Sequence, residues 1–156
     1  MPQPVSIVLA DDHPLLLKGL SDLVSSEDGF MVAGTASDGP AALSLIELAR
    51  PDIAVLDLSM PGISGLGVLK EIARGHGGVK TVFLTAMISD DEIVEAMAAN
   101  VWGILLKESA PEALIPEVGR VVRQIDPRIP VSSLRTMDEI VAGALPQPRN
   151  NAVLIG

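Results

Sequence analysis

Four short apolar runs, each followed by a polar side chain, constrain the fold of this chain more than any other feature. They lead to Asp11 and Asp12, to Asp57, to Thr85 and to Lys107. Strands that are apolar throughout are typical of a parallel sheet buried on both faces. The carboxyl ends of such strands form one edge, where open α/β sheets bind their ligands. We therefore expect three carboxylates, a hydroxyl and an ammonium to meet at that edge.

Strand and helix patterns alternate through the first 125 residues. They predict strands at 5–10, 30–36, 53–57, 81–84 and 104–106, and helices at 14–26, 40–50, 64–73, 90–99 and 111–125. Asp38 is the predicted N-cap of the second helix. Parallel strands need crossover connections, and right-handed crossovers place helices on both faces of the sheet. The pattern therefore predicts an α/β domain with a doubly wound, five-stranded parallel sheet.

The chain divides into a domain of residues 1–125 and a tail of residues 126–156. The segment Asp126-Pro127-Arg128-Ile129-Pro130 ends the last predicted helix and begins a linker. A capping-box pattern that starts at Thr136 predicts one short helix over 137–145. A total of 156 residues suits one domain with an appendage.

Charge and composition exclude several functions. The net charge of −9 belongs to the first 125 residues, because three acids and three arginines cancel in the tail. An acidic surface repels phosphates, so we expect neither direct nucleic-acid binding nor membrane contact. The absence of cysteine excludes disulfides and thiolate metal sites. With no apolar run of membrane-spanning length and no signal-peptide pattern, we expect a cytoplasmic location.

Asp57 has the chemistry of a phosphoacceptor. A carboxylate can attack phosphorus and hold the phosphoryl group as an acyl phosphate. Two anions then approach each other, and Mg²⁺ supplies the positive charge that this requires. Mg²⁺ prefers oxygen ligands and takes one or two carboxylates. Asp11, Asp12 and Asp57 fit that preference, and the backbone carbonyl of Ser59 is a further candidate ligand.

Lys107 and Thr85 complete this interpretation as an ammonium and a hydroxyl for the phosphoryl oxygens. Phosphoryl transfer asks little beyond positioning and electrostatic stabilisation. Each of these residues alone suits a turn, a cap or a solvated surface. Their shared position at one sheet edge favours the functional interpretation. We interpret His13 as the start of the first helix beside Pro14, rather than as a phosphate carrier or metal ligand.

Several segments resemble the receiver domain of two-component response regulators. They are Ala10-Asp11-Asp12-His13-Pro14, residues 55–62, Leu84-Thr85-Ala86 and Leu105-Leu106-Lys107. The first, together with Gly103-Ile104-Leu105-Leu106-Lys107, is similar to the NarL/FixJ subfamily. The resemblance implies a flavodoxin-like (CheY-like) fold with strand order 2-1-3-4-5. It also implies that a histidine kinase phosphorylates Asp57, and that Asp12 binds Mg²⁺ directly while Asp11 acts largely through water.

The resemblance further implies how the phosphoryl group acts. Thr85 would move toward it and Lys107 would pair with it. The output surface, which also serves for a homodimer, would be the fourth helix, fifth strand and fifth helix. Ile104 occupies the fifth-strand position where receivers commonly carry an aromatic ring, so the usual switch is altered here. NarL/FixJ relatives usually continue into a helix-turn-helix domain, so we expect either a truncated chain from a transcriptional regulator or a protein that acts without that domain.

We expect a phosphorylation-dependent switch and not a turnover enzyme. One alternative is an aspartate-nucleophile phosphatase of the haloacid-dehalogenase type, but the acid that it needs two residues after the nucleophile is Ser59 here. Another is an interaction module that works without phosphorylation. A flavodoxin is disfavoured by the aromatic content of 2% and the acidic first loop. By the same resemblance, uncharged Ser59 and Met87 flank the path of hydrolytic water, which predicts slow autodephosphorylation.

Overall fold

The computed structural model describes residues 3–75 and 78–107, together with the backbone of Val153–Ile155. The strands are β1 Val5–Ala10, β2 Phe30–Ala36, β3 Ile53–Asp57, β4 Lys80–Thr85, β5 Gly103–Leu106 and β6 Val153–Ile155. The helices are α1 Pro14–Ser26, α2 Gly39–Ala49, α3 Gly65–Gly75 and α4 Asp90–Ala98. The predicted elements within these residues are all present, with bounds that differ by at most two residues.

The strands form a parallel sheet in the order β2-β1-β3-β4-β5-β6. The predicted order 2-1-3-4-5 is confirmed. The five predicted strands are likewise confirmed, and a sixth strand, Val153–Ile155, pairs with β5 from within the predicted linker and tail. A sheet edge offers unpaired backbone groups to any extended segment, and three residues carry too little periodicity to predict such pairing. The predicted helices at 111–125 and 137–145, and the domain boundary at 125, lie outside the described residues.

Local signals begin and end the helices. The Asp38 carboxylate accepts a hydrogen bond of 2.7 Å from the Ala41 N–H, as its predicted capping role requires. α2 ends where Arg50 adopts a left-handed conformation with φ 46°. Ser89 and Glu92 form a reciprocal capping box at the start of α4. These contacts fix where each helix meets its preceding loop.

Helices cover both faces of the sheet. On one face, α1 packs against β1 and β2, and its buried Leu16, Leu20 and Val24 share a core with residues of β1, β3, β4 and β5. On the other, α2, α3 and α4 enclose a core with strand residues such as Val8, Ala54 and Leu56. All five residues of β3 are buried, as predicted for a central strand. Among the described residues, no helix is both long and apolar enough to cross a membrane.

Candidate functional site

The carboxyl ends of the four adjacent strands β1, β3, β4 and β5 bring the predicted polar side chains together. Asp11, Asp57 and Thr85 are 1%, 3% and 1% exposed. Hydrogen bonds at the ends of the sheet hold the flanking backbone in place. Lys107 donates its backbone N–H to the Thr85 carbonyl at 2.7 Å, and Asp11 donates to the Ala36 carbonyl at 3.1 Å. The site therefore rests on the rigid sheet itself.

Lys107 supplies the positive charge against two buried carboxylates. Its Nζ lies 2.9 Å from Asp11 Oδ2 and 3.5 Å from Asp57 Oδ2. Within the described part of the chain, Asp11 Oδ2 is buried and receives no hydrogen bond, so its contact with Lys107 is an ion pair. Two buried anions share one ammonium, which leaves a local excess of negative charge.

Burial is the largest cause that raises the pKa of Asp57 from 3.8 to about 6, and the negative charge of Asp11 is the second. The Lys107 ammonium and the Ser59 N–H, which donates to Asp57 Oδ1 at 3.3 Å, act in the opposite direction. Desolvation disfavours the charged carboxylate, and a neighbouring anion adds to that penalty. A further positive charge beside Asp57 would therefore stabilise its carboxylate form.

The cluster suits a divalent cation. Ligand atoms of Asp11, Asp12, His13 and Asp57 all lie within 4.8 Å of one another. The Asp12 side chain is 38% exposed, so it faces solvent from which an ion would arrive. Buried carboxylate oxygens with an uncompensated charge match the oxygen preference of Mg²⁺. Ser59 donates its backbone N–H to Asp57, and its carbonyl stays a predicted ligand.

The two predicted switch residues are placed differently. The Thr85 hydroxyl donates to the Met87 carbonyl at 2.9 Å and accepts from the Met87 N–H at 3.3 Å, so it is engaged by its own loop. Ile104 is 1% exposed and pairs in register with Phe83 of β4. It is a packed core residue in this structure, and its role in switching stays a prediction.

His13 lies at the start of α1 and also contacts the acidic pair. It is the N-cap of α1, which confirms its predicted place at the helix start. However, its Nδ1 lies 2.9 Å from Asp11 Oδ1, and its backbone N–H donates to the same oxygen at 2.8 Å. Its position directly after the aspartate pair, at the same strand end, was the signal that pointed to this contact.

Gly65 brings α3 against the backbone of the candidate phosphoacceptor. Its N–H donates to the Leu58 carbonyl at 2.8 Å. A Cβ atom at this position would lie 2.5 Å from the Asp57 carbonyl oxygen. The structure shows that a larger residue there must displace β3 or α3.

The fold and the site together define a class of α/β domain whose buried aspartate, acidic pair and lysine meet at the carboxyl edge of a parallel sheet. The chain belongs to the response regulator receiver domain family, whose model matches residues 7–119.

Similar proteins point to one branch of this family. The nitrate/nitrite response regulator NarL of Escherichia coli is 34% identical over 113 residues, which cover 72% of this chain and 52% of NarL. A nitrate/nitrite response regulator homologue of Haemophilus influenzae is 32% identical, covering 79% of this chain and 59% of the relative. A LuxR-family DNA-binding response regulator of Staphylococcus aureus superposes with TM-score 0.66 at 29% identity, over 75% of this chain and 98% of that chain. The chain thus spans just over half the length of these curated relatives.

Proposed function

We propose that this receiver accepts a phosphoryl group on Asp57 from a histidine kinase, with Mg²⁺ bound at the acidic cluster. The observation that carries the proposal is the buried Asp57 carboxylate, with the Lys107 ammonium 3.5 Å away and Asp11 and Asp12 beside it. An isolated structural aspartate would need neither the second buried carboxylate nor the shared lysine. Burying them together costs stability, and such a cost is characteristic of functional sites.

The transfer requires the ionised form of Asp57. With a pKa of about 6, most Asp57 side chains are carboxylates at pH 7. One carboxylate oxygen attacks phosphorus, a P–O bond to the aspartate forms, and the P–N bond of the kinase phosphohistidine breaks. The bonding electrons leave with the imidazole nitrogen. The product is an acyl phosphate, and its oxygens carry the new negative charge next to Lys107.

Asp12 and Asp57 would hold Mg²⁺ directly and Asp11 largely through water. When bound, the ion neutralises the charge that builds up between the carboxylate and the phosphoryl oxygens. Lys107 changes its partner during this process. It is nearer to Asp11 than to Asp57 in this structure, and phosphoryl oxygens on Asp57 give it a stronger partner there. The ammonium therefore acts as a counter-ion that follows the site's negative charge.

Thr85 connects the phosphoryl group to the following loop. To donate a hydrogen bond to a phosphoryl oxygen, its hydroxyl must release the Met87 carbonyl. That release loosens the turn just before Ser89, the N-cap of α4. Phosphate stabilises the released state through this added contact, which shifts the population of a surface that includes α4 and β5. The surface recognises a partner or a second copy of the chain.

This function is a switch and not a turnover enzyme. A phosphatase of the haloacid-dehalogenase type needs an acid two residues after the nucleophile, where Ser59 donates a backbone N–H to Asp57. Given the relatives, we further propose that the chain comes from a cytoplasmic transcriptional regulator whose DNA-binding part lies outside this sequence. The acidic receiver itself would not contact DNA.

Intact mass spectrometry after incubation with acetyl phosphate tests the proposal. The wild type should gain one phosphoryl group with Mg²⁺ and none with EDTA, and Asp57→Asn should gain none. Asp22→Asn makes the same charge change on the exposed surface of α1 and is the matched control. If the wild type gains no phosphoryl group while a known receiver does, the phosphorylation-independent module is the better explanation. If Asp57→Asn still gains one, the phosphoacceptor is a different residue.

A further inference from the structure

We infer that His13 is a nitrogen ligand of the metal site, and that it shifts the site's preference from Mg²⁺ toward divalent ions that favour imidazole, such as Ni²⁺ and Zn²⁺. The inference deepens the proposed function, on which it rests for the existence of a metal site at Asp57. It concerns the residue that follows the acidic pair and that the phosphoryl-transfer chemistry above does not use.

The distances between donor atoms are those of neighbouring ligands on one ion. His13 Nδ1 lies 2.9 Å from Asp11 Oδ1 and 3.3 Å from Asp12 Oδ1. Metal–nitrogen and metal–oxygen bonds of about 2.1 Å separate adjacent ligand atoms by about 3.0 Å in an octahedron and about 3.4 Å in a tetrahedron. Both observed distances fall between or close to these values. An ion could therefore contact Nδ1 and a carboxylate oxygen with little movement of either side chain.

The electrostatics point the same way. The Nδ1 nitrogen and the carboxylate oxygens of Asp11 and Asp12 are all electron-pair donors. The Lys107 ammonium, whose Nζ is 3.4 Å from Nδ1, is a positive charge beside them. A divalent ion among these donors would accept electron pairs from all three, which an ammonium cannot do. Its charge would also offset the negative excess of Asp11 and Asp57 more fully than one ammonium does.

His13 is free to take this role. As the N-cap of α1 it makes no side-chain capping bond, so its ring does not satisfy the helix terminus. The side chain is 66% exposed, which leaves it room to adjust around an ion. Mg²⁺ gains little from a nitrogen donor, whereas imidazole suits Zn²⁺ and Ni²⁺. The residue therefore affects which ion binds more than whether one binds.

Isothermal titration of tag-free protein with Ni²⁺ and with Mg²⁺ tests the inference. In His13→Ala, the ratio of Ni²⁺ to Mg²⁺ affinity should fall about tenfold or more, since even residues that only orient a metal ligand have effects of that size. His76→Ala removes the chain's only other histidine and should leave the ratio unchanged. His13→Asn, which suits an N-cap, gives a second test if His13→Ala does not fold. Saturating Mg²⁺ should suppress Ni²⁺ binding, because both ions use one site.

An unchanged ratio in His13→Ala and His13→Asn would overturn the inference and leave the ring as a hydrogen-bond partner of Asp11. An equal loss of affinity for both ions would also overturn it, because His13 would then act by orienting Asp11. Phosphorylation of the wild type with Mg²⁺, measured in parallel, keeps the two proposals apart. If the ratio falls as expected but the wild type takes up no phosphoryl group, the metal assignment stands and the proposed function fails.

Discussion

Replacing Asp57 with asparagine should make the folded receiver more stable at neutral pH. The folded-state pKa of about 6 lies roughly two units above the ordinary value of 3.8. At pH 7 the carboxylate is ionised in both the folded and unfolded states, and the full shift appears as a cost to folding. At 1.36 kcal/mol per unit this is about 3 kcal/mol, as an upper figure for one group. Asparagine has nearly the same shape and carries no charge, so Asp57→Asn should recover about 2–3 kcal/mol.

The pH dependence has a definite sign. A carboxyl whose folded pKa is raised contributes stability at low pH, and this contribution is lost as pH rises from 3.8 toward 6. The gain from Asp57→Asn should therefore shrink to about half of its pH 7 value at pH 5. Lower pH values approach the sequence pI of about 4.5, where precipitation would confuse the measurement.

Urea denaturation with EDTA measures the change in the free energy of unfolding caused by Asp57→Asn at pH 7 and at pH 5. Asp22→Asn is the control for removing a charge at an exposed position. Adding Mg²⁺ should then stabilise the wild type, by about 2.7 kcal/mol at a concentration 100 times its dissociation constant, and have little effect on Asp57→Asn. A variant that is no more stable than wild type at pH 7 would refute the reasoning. It would mean that Lys107 already compensates the buried charge fully.

Three further results are expected. Gly65→Ala should lower the free energy of unfolding by about 1–3 kcal/mol or more, because its Cβ would lie 2.5 Å from a backbone oxygen. Gly75→Ala would place its Cβ within 4 Å of no atom of the described residues, so it should be neutral or stabilising in urea titrations. Thr85→Val should cost about 1 kcal/mol by removing two loop hydrogen bonds, while Thr81→Val, whose buried hydroxyl has no partner among the described residues, should be neutral or stabilising by the same assay. The aspartyl phosphate should have a half-life much longer than seconds when its decay is followed by intact mass spectrometry. A half-life of seconds would contradict the prediction that uncharged Ser59 and Met87 flank the path of the hydrolytic water.

Local sequence patterns were sufficient to predict the strands and helices and the sheet edge at which the polar side chains meet. Apolar runs predicted the strands β1, β3, β4 and β5, and the predicted capping residue Asp38 lies directly before α2. Strand direction then followed from the crossovers, and with it the meeting of Asp11, Asp57, Thr85 and Lys107. These features depend on hydrophobic periodicity and on the order of strands and helices along the chain, and both can be determined from the sequence.

Tertiary structure alone decided the energetics and the finer contacts of the site. The raised pKa of Asp57 comes from the depth of burial and from Asp11, which is 46 residues away in the chain. Whether Lys107 lies nearer to Asp11 or to Asp57, and whether the His13 ring turns toward the acids, depends on how side chains pack in three dimensions. The pairing of Val153–Ile155 with β5 likewise depends on where a distant segment is brought in space. The sequence by itself determines which side chains reach the carboxyl edge of the sheet, because the end of a strand is a local feature. The pKa values of these side chains and the distances between them depend on the tertiary structure, because only the packed sheet and helices exclude water from the site.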